Sequence, residues 1–192
     1  MSNDKVLIFD TTLRDGEQSA GIGLTVDEKM EIAKQLERLR VDVIEAGFAA
    51  SSPGDFQAVS AIAQEVRGPI IASLARCMSG DVDSAWEAIK NAERPRIHTF
   101  ISSSDVHLMD ILSKNPEEVL GMAISAVERA KGYCEDVEFS PMDATRTDIE
   151  YLYRMVEACI DAGATTVNLS LIHISAPTRR YAISYAVFCL KK

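Results

Sequence analysis

Apolar and polar positions along this 192-residue chain alternate between two periods. Short, nearly continuous apolar runs read as buried strands, and stretches with apolar residues three or four apart read as helices packed on them. Val6 to Phe9 is the first run. Thr25 with Glu28 then forms a capping box ahead of Val26, Met30, Ala33, Leu36 and Leu39, which predicts a helix over 26–39. Val41 to Ile44 predicts a second strand delivering Glu45, Ala46 and Gly47 at its C-terminal end. Ser52-Pro53 opens the next helix with a cap and a first-turn proline, and Gly68-Pro69 closes it. A third strand runs from Pro69 to Leu74 and ends at Arg76, and Val82, Trp86 and Ile89 mark a helix face. Arg96 to Ile101 is a fourth strand carrying His98 and Thr99. Asn115-Pro116-Glu117-Glu118 starts a helix continued by Val119, Ala123, Ala126, Val127 and Ala130. Val137 to Phe139 is a fifth strand, with Ser140, Met142 and Asp143 just beyond it. Thr147 and Glu150 read as a further capping box, opening a helix with the stripe Leu152, Met155, Val156, Cys159 and Ile160. Thr165 to Asn168 is the sixth strand.

Strand and helix thus alternate with a repeat of about 30 residues, the pattern of βαβ units and a parallel sheet. No glycine-rich phosphate-binding string is present, so a nucleotide-binding sheet lacks its usual marker. Arg14, Asp15, Glu45, Arg76, His98, Thr99, Asp143 and Asn168 all fall at or just past the C-terminal ends of strands. In a (β/α)8 barrel that end holds the catalytic groups. Read singly, these residues have plainer roles: Glu45 and Arg76 as a salt bridge at the rim, His98 as a core histidine bonded to a backbone carbonyl.

Composition adds constraints. The chain is 47% hydrophobic and 26% charged, ordinary for a globular protein, and one domain is the natural count. Its 20 basic and 29 acidic residues give a net charge of −9, which argues against nucleic acid or an anionic membrane as partner. The N-terminal apolar run is too short for a signal peptide or membrane span, so a cytoplasmic location is expected. Cys77, Cys134, Cys159 and Cys189 show neither CxxC spacing nor a nearby histidine, and idle or buried thiols are expected.

The densest chemistry lies in DTTLRDGEQ, from Asp10 to Gln18, which closes the first apolar run. Asp10, Arg14, Asp15 and Glu17 cannot all be buried unpaired, so they pair with one another or hold a metal or an anionic substrate. This string resembles the signature of the DRE-TIM metallolyase superfamily, which includes 2-isopropylmalate synthase, homocitrate synthase, citramalate synthase and HMG-CoA lyase. Ile44-Glu45-Ala46-Gly47-Phe48, Ser51 to Phe56, Leu74-Ala75-Arg76, His98 to Ile101, and Glu138 to Pro141 with Arg146-Thr147-Asp148 resemble the 2-isopropylmalate synthase family in particular. The resemblance implies a (β/α)8 barrel, here truncated after about six βα units, over residues 1–168. It implies a divalent metal, Mn2+ or Mg2+, ligated by Asp15, and Arg14 beside the reacting carbonyl. Glu45, Arg76, His98 and Thr99 would bind substrate. The implied reaction is a Claisen condensation of acetyl-CoA with a 2-oxoacid, 2-oxoisovalerate in the closest reading and another oxoacid in the citramalate or homocitrate variants. A homodimer or larger assembly is the expected form of the full-length protein.

Departures from that pattern stand out. Relatives usually have Gly near Arg40, Pro at Ala49 and often Glu at Met142. After Asn168 the chain reads LSLIHISAPTRRYAISYAVFCLKK, which contains four basic residues, no acid and no glycine. Residues 169–192 are therefore expected to be a tail foreign to the family, of frameshift or read-through origin. The family's His-x-His metal pair would fall beyond that point, and His173 is not expected to replace it. Six of eight units would leave the first and sixth strands as open edges, so a loosely packed, inactive or non-catalytic product is the other expectation.

Overall fold

Several helices begin where the sequence places an acceptor for their first free amides. Thr25 and Asn115 close capping boxes with Glu28 and Glu118, and Ser52 accepts from the Asp55 amide. The computed structural model describes residues 6–108, 112–169 and 189–191. Within them the order is β1 (Phe9–Asp10), α1 (Val26–Leu39), β2 (Val43–Gly47), α2 (Pro53–Glu65), β3 (Ile70–Arg76), α3 (Ser79–Ile89) and β4 (Pro95–Ser102). Then come the single turn α4 (Asp105–His107), α5 (Pro116–Lys131), β5 (Val137–Met142), α6 (Ile149–Asp161), β6 (Thr166–Asn168) and β7 (Cys189–Lys191). Strands β1 to β6 are parallel and neighbour one another in chain order. The architecture is α/β, six strands of the expected (β/α)8 barrel.

Alternate residues of each strand separate into two faces. Ile44, Ala46, Ile71, Ala75, Ile97, Ile101, Val137 and Phe139 pack with the helices in one large core. Phe9, Val43, Ile70 and Ala72 form a smaller cluster, and the same alternation puts buried Glu45, Arg96, His98 and Glu138 on that second face. In a flat sheet β1 and β4 would lie about 14 Å apart, yet the Phe9 and His98 rings meet edge to face with centroids 6.2 Å apart. The sheet is curled around this face as a barrel wall. A parallel sheet buried on both sides needs apolar residues at nearly every strand position, and polar ones there must be paired.

The observed elements differ from the expected ones at particular residues. The first strand forms ladder pairs only at Phe9 and Asp10, while Val6 and Ile8 are exposed. Strand β2 extends through Gly47, so Glu45 lies inside the ladder. The expected Thr147–Glu150 capping box is not formed. The Thr147 hydroxyl donates to the Asp143 carbonyl and meets Ser103 Oγ at 2.7 Å, so Asp148 caps α6 by accepting from the Tyr151 amide. The sixth strand is not left open, because β7 pairs with it antiparallel through Thr166, Val167 and Asn168. Residues 170–188, His173 included, lie outside the described residues. Cys77, Cys134 and Cys159 are buried free thiols, and burial pushes the pKa of Cys159 up to about 12, which leaves it unreactive.

Helix α1 ends at Arg40 in the left-handed conformation, φ 58° and ψ 42°, with its amide bonded back to Glu37 and Leu36. This is the C-terminal geometry that glycine adopts without a Cβ penalty. Arg40→Gly is expected to raise stability by about 0.5–1 kcal/mol, the left-handed cost offset in part by the freedom glycine adds to the unfolded chain. Urea denaturation measures this, and a destabilised variant would contradict it.

Candidate active site

The loop after β1 is tied into a knot by its own backbone. Thr11 O accepts from the amides of Arg14, Asp15 and Gly16, and the Asp10 carboxylate accepts from the Thr12 amide at 2.9 Å. Leu13 anchors the loop in the large core. Gly47, at φ 151°, leaves room for α2 beside the loop: a Cβ there would meet Val59 Cγ2 at 3.0 Å. The β2–β3 register shifts between Glu45 and Gly47, a bulge of the kind that re-aims side chains beside sites.

Arg14, projected by this loop, donates from Nε to Glu45 Oε2 at 2.6 Å and from Nη1 to Asp15 Oδ1 at 3.0 Å. Among the described residues its Nη2 has no partner within the chain, and the side chain is 19% exposed. The other Glu45 oxygen lies 2.6 Å from His98 Nδ1, and His98 Nε2 lies 2.7 Å from Ser140 Oγ and 3.7 Å from Glu138 Oε1. Glu138 also accepts from Arg96 Nη1 at 2.9 Å and Asn168 Nδ2 at 2.8 Å, and Arg96 Nη2 reaches Asp136. An unbroken polar chain therefore runs from the mouth into the barrel wall. Burial opposes the charge on Arg14, Glu45 and His98, but the partners of each outweigh it. The pKa of Arg14 stays raised by Glu45 and Asp15, that of Glu45 is held down by His98 and Arg14, and that of His98 is held up by Glu138 and Glu45.

A second clamp fixes the loop from outside. Lys29 Nζ, on α1 and almost fully buried, binds Glu17 at 2.7 Å and Asp55 at 2.8 Å. Asp55 also accepts from Ser51 and Ser52, so the start of α2 and the signature loop share one ammonium group.

Of the residues singled out in the sequence, Arg14, Asp15, Glu45 and His98 come together. Arg76 does not join them. Its guanidinium pairs with Asp81 through two bonds of 2.6 and 3.1 Å, lies over the Phe48 ring and is 54% exposed, so the Glu45–Arg76 bridge is absent. Thr99 faces the opposite side of β4 from His98 and donates to the Glu138 carbonyl. Asp143, also left-handed at φ 65°, pairs with Arg146 and Ser104. Sequence reading passed over Arg96, Glu138 and Lys29. The first two share parity with His98 and Ser140 in RIHTFIS and VEFSPM, a polar period-two signal inside apolar strands; Lys29 gave no such signal. No three His, Cys, Asp or Glu side chains among the described residues are placed to hold a metal together. Asp15 can offer one ligand, and these residues alone do not complete a metal site.

The family model described as HMGL-like matches residues 5–172. The chain belongs to that family. It is 62% identical over 165 residues to a 2-isopropylmalate synthase of Pyrococcus furiosus, covering 86% of this chain and 33% of that protein. It is 59% identical to the one of Dictyoglomus turgidum, with the same coverage. The chain thus spans about a third of the length of these relatives. Among solved structures, the HMG-CoA lyase of Bacillus subtilis aligns with a TM-score of 0.66 at 21% identity, covering 86% of this chain and 57% of that one. An HMG-CoA lyase of Acinetobacter baumannii, in complex with coenzyme A and 3-methylmalate, aligns with a TM-score of 0.67 at 18% identity, covering 88% and 57%. These likenesses show the barrel fold of the HMGL-like chain.

Two outcomes follow from the charges. Lys29→Met leaves Glu17 and Asp55 without their cation and is expected to cost about 2–4 kcal/mol, below a fully enclosed pair because both carboxylates touch water; a urea midpoint unchanged from wild type would refute the clamp. Folding raises the pKa of His98 above 6.5, so its stabilisation is complete below that pH and is lost as pH rises through the folded value. Folding lowers the pKa of Glu45 below 4.5, so its contribution is complete above that pH and is lost as pH falls through the folded value. The stability difference between wild type and His98→Asn should therefore shrink as pH is raised from about 6 to 9, read from denaturation midpoints, and a growing difference would reverse the assignment.

Proposed function

We propose that the chain is the N-terminal part of a 2-isopropylmalate synthase-like acyltransferase barrel, acting on acetyl-CoA and a 2-oxoacid, with 2-oxoisovalerate as the acceptor. Identity near 60% to proteins of that name across 86% of the chain supports the substrate class. The observation that carries the reading is the Nη2 of Arg14 at the mouth, which has no partner among the described residues while Nε and Nη1 are bonded to two carboxylates.

In the proposed reaction a base removes a proton from the acetyl methyl group, and that carbon bonds to the ketone carbon of the oxoacid. The carbonyl π pair moves onto oxygen, giving an alkoxide that takes a proton, and water then cleaves the thioester to release CoA. Arg14, oriented before the substrate arrives, is assigned to the oxygen on which charge grows, because a fixed donor there needs no reorganisation. Asp15 is assigned as one ligand of a divalent ion, which when bound supplies Lewis-acid polarisation of the ketone. Glu45 holds Arg14 and His98 in register, and His98 with Ser140 presents polar atoms to the substrate from the wall. Arg76 and Thr99 are not assigned to substrate, given their Asp81 and Glu138 contacts.

The test grafts residues 5–168 onto the remaining barrel of the Pyrococcus furiosus relative and follows CoA release. Release that depends on 2-oxoisovalerate is expected. Preference for pyruvate or 2-oxoglutarate would move the assignment to the citramalate or homocitrate reaction, and no oxoacid-dependent release would sink it. In the active graft Arg14→Ala is expected to raise the barrier by about 2.7–4 kcal/mol. Arg14→Lys should recover little of this, since an ammonium cannot serve Glu45, Asp15 and an oxyanion in one plane.

A further inference from the structure

Glu138 has no exposure to water and no place in the chemistry described above, yet it touches three functional neighbours. Its Oε2 takes Arg96, and its Oε1 is shared between Asn168 Nδ2 at 2.8 Å and His98 Nε2 at 3.7 Å. We propose that Glu138 is a positioning residue that, with Glu45, keeps the His98 imidazole doubly protonated, so that Nε2–H donates to Ser140 and the serine hydroxyl points its own proton away. This rests on His98 lining the substrate pocket, as proposed above, and adds the state in which it does so.

Glu45 Oε2 already receives the Arg14 Nε–H, so this carboxylate is ionised and its Oε1 accepts a proton from His98 Nδ1 at 2.6 Å. The contact is possible because β3, which lies between β2 and β4, sets only Ala72 opposite Glu45 on the interior face. One proton of His98 is thereby fixed, and the open question is whether Nε2 carries another. Ser140 Oγ is indifferent, since a hydroxyl donates or accepts at 2.7 Å. Glu138 is not indifferent, because a carboxylate 3.7 Å from Nε2 in a low-dielectric interior favours an N–H there.

The charges facing His98 point the same way. Arg14 approaches from the first loop with Asp15 bonded to it, Glu45 from β2, Arg96 from its own strand with Asp136 bonded to it, Glu138 from the interior face of β5, and neutral Asn168, bonded to Glu138, from β6. Across the whole cluster two guanidinium groups meet four carboxylates, and an imidazolium reduces the imbalance. Arg14 opposes it, but lies on the far side of Glu45. Were Nε2 bare, Ser140 would donate to it. The Ser140–His98–Glu45 line would then be a hydroxyl backed by a base, the arrangement of a nucleophile. Glu138 decides between a fixed donor and a base.

NMR of the imidazole nitrogens tests this in the full chain, where His98 is one of three histidines and is assigned with His98→Asn. Wild-type His98 is expected to be doubly protonated near neutral pH. Glu138→Gln, close in shape but uncharged, should lower its proton affinity about tenfold or more, whereas Glu138→Asp should retain most of it. A neutral His98 in the wild type near neutral pH overturns the proposal without any variant, even if Glu138→Gln fails to fold. An unchanged titration in a folded Glu138→Gln overturns it too. An inactive graft would sink the proposed function, and another oxoacid preference would reassign it, in either case without moving this titration.

Discussion

Two carboxylates, Glu45 and Glu138, sit fully enclosed in the curled face of the sheet, and the rest of the site exists on the condition that they are neutralised. An unpaired carboxylate there would cost several kcal/mol, so every cation that can reach is drawn in: Arg14 from the loop, His98 and Arg96 from β4. Each cation meets a carboxylate on a different strand, so the polar chain fixes the relative positions of β1, β2, β4 and β5. Removing any one member would leave a charge stranded beside its neighbours, a coupling that ties site geometry to stability.

The loop carrying Arg14 and Asp15 is held at both ends of this arrangement. Inside, Arg14 is bonded to Glu45; outside, Lys29 joins Glu17 to Asp55 at the start of α2. Between them Leu13 is buried in the core. A loop held by two ion clusters and a hydrophobic anchor has little freedom to rearrange, and preorganised donors work best under that constraint.

The barrel wall is built by the same rule on both faces. The helix side is apolar apart from Ser73 and Thr99, and the interior side is apolar at Phe9, Val43 and Ile70 and turns largely polar from the level at which Glu45 and Arg96 flank Ala72. Strand β6, the last parallel strand, carries its outer ladder bonds to β7 in the opposite direction.

The sequence by itself determined the alternation of six strands and five helices, the caps at Thr25, Ser52 and Asn115, and the crowding of Asp10 to Gln18, because each is a local matter of period, capping chemistry or charge density. It also brought out Arg14, Asp15, Glu45 and His98 as a group, since ends of parallel strands converge at one mouth. Local pattern failed where a side chain had two possible partners. Thr147 lost its cap role to Asp148 because its hydroxyl was taken by Asp143 and Ser103, and Arg76 went to nearby Asp81, five residues on, leaving Glu45 to Arg14 and His98. Only the tertiary structure decided that Glu138 and Arg96 join the ion cluster of Glu45 and His98 while Thr99 faces away from it. Strand parity separates His98 from Thr99 at once, but which polar residues of β2, β4 and β5 meet depends on how tightly the sheet curls and how the strands are staggered, and no short stretch of chain encodes that distance.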